Sequence, residues 1–432
     1  AENIASKTNK VLFITFTRNL AIDIQNHLAT ICTGSTLERI EVINLDRWVQ
    51  NFLYKQSYDY ELIYDERVLN LYWDQAFLNK PYDTELPDSF YKEEWQRVIQ
   101  SQDIVSLDDY KSASRIGRGT RLNRQQRVAL WPVFETFRNQ LDRERHKEAD
   151  DCYRDAAGYI KSDQVGLPYC AVVVDEAQDM GSQAFKLIRA MLPEQANDLF
   201  LVGDAHQRIY GKNRVILGRC GINIVGRSSK LKINYRTTDE IRQCAVNLLE
   251  GRHIDDLDDG CDDNLLYKSL THGQAPIMEH LTSPEEQAKF IKTILERDEL
   301  PYSHTCVVAR TNREILSIQK LLSALNIRTA IIKSSEAENT DNNALKLATI
   351  HRVKGLEFDQ VILASANSGL IPLDSAMRNK ADMASEMEAE TEERSLVYVA
   401  ITRARKLAYV LSYGSQSAFF AEPVLESNTE VG

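Results

Sequence analysis

The sequence predicts an α/β protein built on buried parallel sheets, and three observations carry that reading. Short continuous apolar runs recur along the chain: VLFIT (11–15), AVVV (171–174), LFLV (199–202), CVVA (306–309), VILA (361–364) and AYVLS (408–412). Unbroken rather than alternating apolarity marks strands covered on both faces. Each run leads into a stretch of helical character, and strands alternating with helices argue for layers around a parallel sheet. Finally, 432 residues at 43% hydrophobic and 27% charged supply the material for two to four ordinary cores.

Between the first two strands the character changes. Residues 47–165 are rich in Tyr, Trp, Leu, Glu and Arg and poor in β-branched runs, which predicts a helical insertion. The acidic stretch HIDDLDDGCDDN (253–264) predicts an exposed connection. Residues 374–394 read as an acidic loop or a surface helix, and the tail beyond 420 as frayed.

Composition narrows the setting. No run of about 18 apolar residues occurs, so no membrane span is expected, and the polar start AENIASKTNK has no apolar signal-peptide region. The cysteines form no C-x-x-C pair, which argues against zinc and fits the reduced thiols of a cytoplasmic protein. A formal net charge of −11 argues against a nucleic-acid protein on average. The local field differs from the mean. KSASRIGRGTRLNRQQR (111–127) carries six Lys/Arg and no acid, and reads equally as a phosphate-gripping stripe or as a solvated loop and helix start.

The chemistry concentrates at strand ends. In open parallel sheets ligands bind beyond the carboxyl ends of the strands. AVVVDEAQDM (171–180) puts Asp175 and Glu176 there. One such carboxylate can hold Mg²⁺, and its neighbour can orient or deprotonate a water. An Asp ahead of a helix is equally an ordinary cap. LFLVGDAHQRIY (199–210) ends a second strand in Gly203-Asp204, followed by Gln207, suited to sensing a phosphate, and Tyr210, whose ring could stack a base. In LKINYRTTDEI (231–241), Tyr235 and Arg236 set a flat ring beside a guanidinium. ATIHRVKGLEFDQVILA (348–364) offers Gly355 for close backbone approach and Glu357 for a ribose hydroxyl. EERSLVYVAITRAR (392–405) carries Arg403 and Arg405 on an expected helix, where a guanidinium could meet a γ-phosphate. Packing and capping roles remain open for each.

Taken in order, the blocks resemble the UvrD/Rep-type DNA helicases of superfamily 1. KVLFITFTRNLA (10–21), VVVDEAQD (172–179), LVGDAHQRIY (201–210), LKINYR (231–236), CVVARTNREILSIQKLL (306–322), TIHRVKGLEFDQVI (349–362) and EERSLVYVAITRAR (392–405) follow the family's motif order. The resemblance implies two RecA-like parallel-sheet domains of the P-loop NTPase helicase core, with ATP and Mg²⁺ between them. It divides the chain into 1–46 and 166–235 (first domain), 47–165 (its helical insertion), 236–420 (second domain) and 421–432 (tail). By position, Asp175 would hold Mg²⁺, Glu176 would activate water, and Gln207 would link the γ-phosphate to DNA. Arg236 and Arg403 would reach the γ-phosphate, Tyr235 would stack on adenine, and Glu357, beside Gly355, would meet the ribose. Thr15, Phe16, Thr17, Arg18, Tyr210 and His351 would serve the DNA side. Arg115, Arg118, Arg121, Arg124 and Arg127 would grip phosphates from the insertion. The implied partners are single-stranded DNA and junctions with duplex, and the implied activity is 3′→5′ translocation and unwinding.

Two departures qualify the resemblance. The phosphate-loop pattern G-x-x-x-x-G-K-[ST] and its lysine occur nowhere in the 432 residues. An N-terminal truncation is the expected cause, and it would leave a sheet edge open where a strand belongs. A native chain of this kind would instead be a non-catalytic nucleic-acid-binding module of the same fold. Second, only NIRTAIIKSSEAENTDNNALKLA (326–348) occupies the place of the family's large 2B insertion. This predicts a minimal motor that draws on a protein partner for processive unwinding. RNA in place of DNA also remains open.

Overall fold

The computed structural model describes residues 9–82, 85–162, 165–210, 215–252, 254, 267–298, 300–333, 343–378 and 380–420, apart from the Asn19 side chain. The chain divides into two compact units. Unit 1 comprises residues 1–230, 253–263 and 379–389, and unit 2 the remainder. The acidic connection and the tail lie almost wholly outside the described residues.

Unit 1 is built on four parallel strands: β1 (Lys10–Thr15), β2 (Ile40–Asn44), β3 (Tyr169–Val174) and β4 (Leu199–Leu201), in the order β2-β1-β3-β4. Leu12, Ile14, Val172 and Val174 are fully buried at its centre. β4 forms one edge, where Phe200 is 64% and Val202 40% exposed.

The insertion is narrower than expected. Helices Leu45–Lys55 and Ala149–Ser162 bury Trp48, Val49, Phe52, Tyr153 and Ile160 against the sheet core, so they belong to the α/β layer. The insertion's own core lies between them and is aromatic. Trp73 stacks on Phe137 at 3.9 Å, and Trp95 meets Phe137 edge-on at 5.0 Å. Tyr and Trp were among the residues that made this region stand out in the sequence, and here they fill a core together with Phe.

A distant segment joins that insertion. Residues 374–394 resolve into the second of the two predicted forms: most of them enter the helix Met383–Thr402. Asp382 caps its start by accepting from Ser385 N at 2.9 Å, and also accepts from Thr120 N at 2.5 Å and Thr120 Oγ1 at 2.7 Å. A Cβ on Gly119 would stand 2.5 Å from the Asp382 carboxyl, so the approach requires glycine. Arg97 pairs with Glu388 nearby.

Unit 2 holds six parallel strands: β5 (Ile277–Leu281), β6 (Thr305–Ala309), β7 (Thr329–Ile331), β8 (Leu345–Thr349), β9 (Phe358–Leu363) and β10 (Ala404–Tyr413). Their order is β7-β8-β6-β9-β10-β5. β7 and β8 are adjacent strands joined by residues 332–344, of which 334–342 lie outside the described residues. The unit begins at Leu231, so the block 231–236 falls in unit 2, where Ile233–Asn234 pairs with Lys268–Ser269 in a small separate sheet.

Candidate functional site

The carboxyl edge of the first sheet gathers the expected carboxylates by strand register alone. Ile14 lies opposite Val174, and Val174 opposite Leu201, so the three strands end together. Asp175 N donates to Ile14 O at 3.0 Å and Ala177 N to Val202 O at 2.9 Å, carrying the alignment past the strand ends. Asp175 and Glu176 are both half-buried there. Glu176 turns the chain with φ at 55°, in the left-handed region, and its N–H donates to Asp175 Oδ1 at 2.9 Å.

One residue outside the expected set holds this edge together. Gln178, 2% exposed, donates its amide to Glu176 Oε2 and accepts from Asp204 N at 3.0 Å. It therefore ties the tip of β3 to the tip of β4. Asp204 in turn accepts from Gln207 Nε2 at 2.8 Å and shares a 3.1 Å hydrogen bond with His206 Nδ1. Burial pushes the Asp204 carboxyl up, but the bonds from His206 and Gln207 outweigh it and hold it below the usual carboxylate range. Gln207 is thus brought to the same network as Glu176. The signal was present in the sequence as a third polar residue, within DEAQD, at a point where a buried strand ends.

The expected nucleic-acid residues of unit 1 divide. Phe16 and Tyr210 meet with ring centroids 4.7 Å apart and planes at 42°. Asn44 fixes the Phe16 carbonyl with a 2.6 Å bond from Nδ2. Thr17 caps the helix Arg18–Ile31 by accepting from Leu20 N at 3.4 Å, and Arg18 is exposed on its first turn. Thr15 is fully buried and donates to Thr17 O at 2.8 Å; its hydroxyl shapes the turn instead of facing outward.

The arginine stripe is corrected more strongly. Arg115 forms a two-pronged pair with Glu94, at 2.6 and 2.9 Å, with both side chains buried. Arg118 lies 2.8 Å from Glu93, with only 4% of its side chain exposed. Arg127 donates from Nη1 to the carbonyls of Tyr110, Lys111 and Ala113, closing the end of the helix Leu107–Ser112. These three are structural. Their acidic partners lie some twenty residues earlier, which hid the pairing from a local reading of charge. Arg121 and Arg124 remain exposed.

In unit 2, Tyr235 is 73% exposed, and Arg236 Nε lies 2.5 Å from Glu357 Oε1. The residues assigned to γ-phosphate and ribose therefore stand side by side, near Gly355 at φ 83°. Arg403 and Arg405 are not on the expected helix, which ends at Thr402: Arg403 follows it, 1% exposed, and donates from Nε to Val399 O at 3.2 Å in its last turn, and Arg405 lies on β10. His351 is half-buried, and burial, reinforced by the Arg310 charge, pushes it down to about 4. Arg310 itself grips Glu393 at 2.6 and 3.1 Å, a pair that the sequence reading did not single out.

Among the described residues, no group of three or more His, Cys, Asp or Glu side chains is assembled to hold a metal. Mg²⁺ does not need one, because it takes one or two carboxylates and completes its shell with water and phosphate oxygens. Asp175 and Glu176 are hard oxygen donors of the kind that cation takes. No helix of the described residues is long and apolar enough to cross a membrane.

Two α/β units on parallel sheets, with adjacent carboxylates and a polar network at the first sheet's carboxyl edge, have the architecture of two RecA-like domains. Residues 2–213 match the UvrD/REP helicase N-terminal domain, and residues 229–337 and 328–415 match the UvrD-like helicase C-terminal domain. The chain belongs to the UvrD-like DNA helicase family. It is similar to a probable DNA helicase II homolog of Mycoplasma genitalium, 22% identical over 340 residues, covering 73% of this chain and 47% of that protein. A probable DNA helicase of Mycoplasma pneumoniae is 22% identical over 429 residues, 94% of this chain and 75% of that one. The ATP-dependent DNA helicase PcrA of Bacillus subtilis is 30% identical over 159 residues, 35% of this chain and 20% of that one. The chain thus spans about half the length of the Mycoplasma genitalium relative.

Proposed function

We propose that the chain is the ATPase and DNA-binding core of a 3′→5′ DNA translocase or helicase. The observation that carries this reading is the continuous network Glu176–Gln178–Asp204–Gln207 at the carboxyl edge of the first sheet, in the same unit as the Phe16–Tyr210 ring pair. ATP with Mg²⁺ supplies the chemical free energy when bound. Asp175 would hold the cation, and Glu176 would take a proton from the attacking water. Gln178 fixes the carboxylate that does so. Gln207, tied through Asp204 and Gln178 to Glu176, would report the phosphate to the strand resting on Tyr210. Tyr235, Arg236, Glu357 and Arg403 would complete the nucleotide contacts from unit 2. The exposed rings and guanidinium groups suit single-stranded DNA and its junctions with duplex, which need stacking faces and phosphate contacts rather than base-edge readout. A cytoplasmic setting, and a protein partner for processive unwinding, belong to the same proposal.

The second reading is a non-catalytic nucleic-acid-binding module of the same fold. DNA-stimulated ATP turnover separates the two, measured on this chain and on the chain joined upstream to a phosphate loop. Glu176→Gln in the latter is expected to abolish turnover and spare ATP binding. General-base contributions are about a hundredfold or more, so turnover within about tenfold of the parent removes Glu176 from that role. No turnover by either chain, with DNA binding intact, favours the binding module.

A further inference from the structure

A second cluster of charge lies in unit 1, away from the carboxylate network. A concavity there is lined by Lys161, Lys186, Arg189 and Arg219, with Cys220 and Gly221 at its floor. Three elements contribute: the helix Ala149–Ser162, the helix Ser182–Ala190 packed against it, and the short turn Leu217–Cys220. The second helix starts just past the carboxylate edge and runs away from it toward the start of β4. Lys161 and Arg189 stand in the last turns of their helices, so the concavity is displaced from Asp175 and Glu176.

Of the four charges there, one is paired with a carboxylate among the described residues. Arg189 is committed: it donates to Asp198 Oδ2 at 2.7 Å and to Leu192 O at 3.2 Å. Among the described residues, Lys161, Lys186 and Arg219 form no ion pair with a carboxylate. Helix C-termini favour cations, which accounts for Lys161. It does not account for Lys186 in mid-helix or for Arg219 on a separate turn. Cations converging in one hollow repel one another, and this acidic chain has carboxylates to spare that could have paired with them. Gly221 adopts φ 79°, a conformation that favours glycine, and a Cβ there would meet the Arg189 stem at an ordinary contact distance of 3.4 Å.

We propose that this concavity is a second DNA contact, which takes backbone phosphates outside the single-strand path. The inference rests on the proposed DNA-motor reading and adds a site to it. Phosphate chemistry fits because the lining offers cations and no exposed large apolar side chain. A protein partner is normally anchored by a buried aromatic or aliphatic group, whereas a nucleic-acid backbone is held by cations alone.

The test compares the full chain with its Lys161→Ala/Lys186→Ala/Arg219→Ala variant on a junction with a long duplex arm, across a salt series. Each lost phosphate contact lowers the slope of log K against log salt by about 0.7 to 0.9, so the variant slope should fall by about 2. A Lys161→Arg/Lys186→Arg variant, which keeps the charge, should retain the parent slope and shows that charge rather than folding is read. An unchanged slope in the alanine variant overturns the proposal. So does an unchanged slope combined with loss of oligo-glutamate or inorganic phosphate binding, which assigns the hollow to an acidic protein or to a small anion. Failure of the parent chain to bind any DNA is a different result: it removes the motor reading, and this site with it.

Discussion

Glu176 illustrates how a single residue can work against its own backbone. A non-glycine residue in the left-handed region costs about 1 to 3 kcal/mol and is kept where the surroundings over-determine it. Here the bond to Asp175 and the amide of Gln178 do so. The identity of the carboxylates was legible in the sequence because a strand of four apolar residues ends on them. The agent that positions them was not, because Gln178 acts through a strand that follows twenty residues later. His351 gives a prediction that pH can read. Its neutral form is favoured in the fold, with the value lowered from 6.5 to about 4. A lowered value means that the unfolded chain binds the extra proton first, so stability is complete above about pH 6.5 and is lost as pH falls toward 4. At about 1.4 kcal/mol per pH unit, the loss is at most about 3.5 kcal/mol. His351→Gln should flatten the melting temperature between those limits; an unchanged pH slope would show that other groups carry it.

At the scale of the element, the arginine-rich loop and helix show why charge counting misleads. Arg115 and Glu94 are buried together, and removing one partner strands the other. Arg115→Ala should cost about 3 to 5 kcal/mol in chemical denaturation. Arg121→Ala and Arg124→Ala should leave stability within about 0.5 kcal/mol. If they meet phosphates, each should lower the salt slope of DNA binding by about 0.7 to 0.9. A stable Arg115→Ala protein with weakened DNA binding would reverse the assignment. The strands show a parallel contrast. All six apolar runs became strands, since an unbroken run needs no tertiary information to be seen. β8 escaped notice because LKLAT carries Lys346 at its second position, 6% exposed, and β2 and β5 because IEVIN and IMEHL mix acids with apolar residues. β8 is held between β7 and β6, whereas β2 and β5 are edge strands whose pairing on one side overrides the mixed pattern. The boundary of the insertion was misjudged for a related reason: helices Leu45–Lys55 and Ala149–Ser162 share the insertion's composition and differ only in what they pack on.

For the molecule as a whole, net charge proved a poor guide to local chemistry. A chain of net charge −11 keeps Arg121, Arg124 and the Lys161–Lys186–Arg219 hollow facing outward while burying Arg115 and Arg118. The parallel-sheet class was readable from alternation, and the division into two sheets from the family resemblance. That residues 379–389 pack with unit 1 was not, because that contact joins positions some 260 residues apart.

The open side of β4 sets how this chain must be handled. Its row of backbone donors and acceptors, with Phe200 beside it, is a template for a strand from another copy. Scattering from concentrated samples should therefore rise steeply with concentration, and Phe200→Lys should suppress the rise without moving the melting temperature by more than about a degree. Equal scattering from both proteins would clear this edge. On this prediction, the same strand that brings Asp204 to the site is also the place where the molecule meets itself.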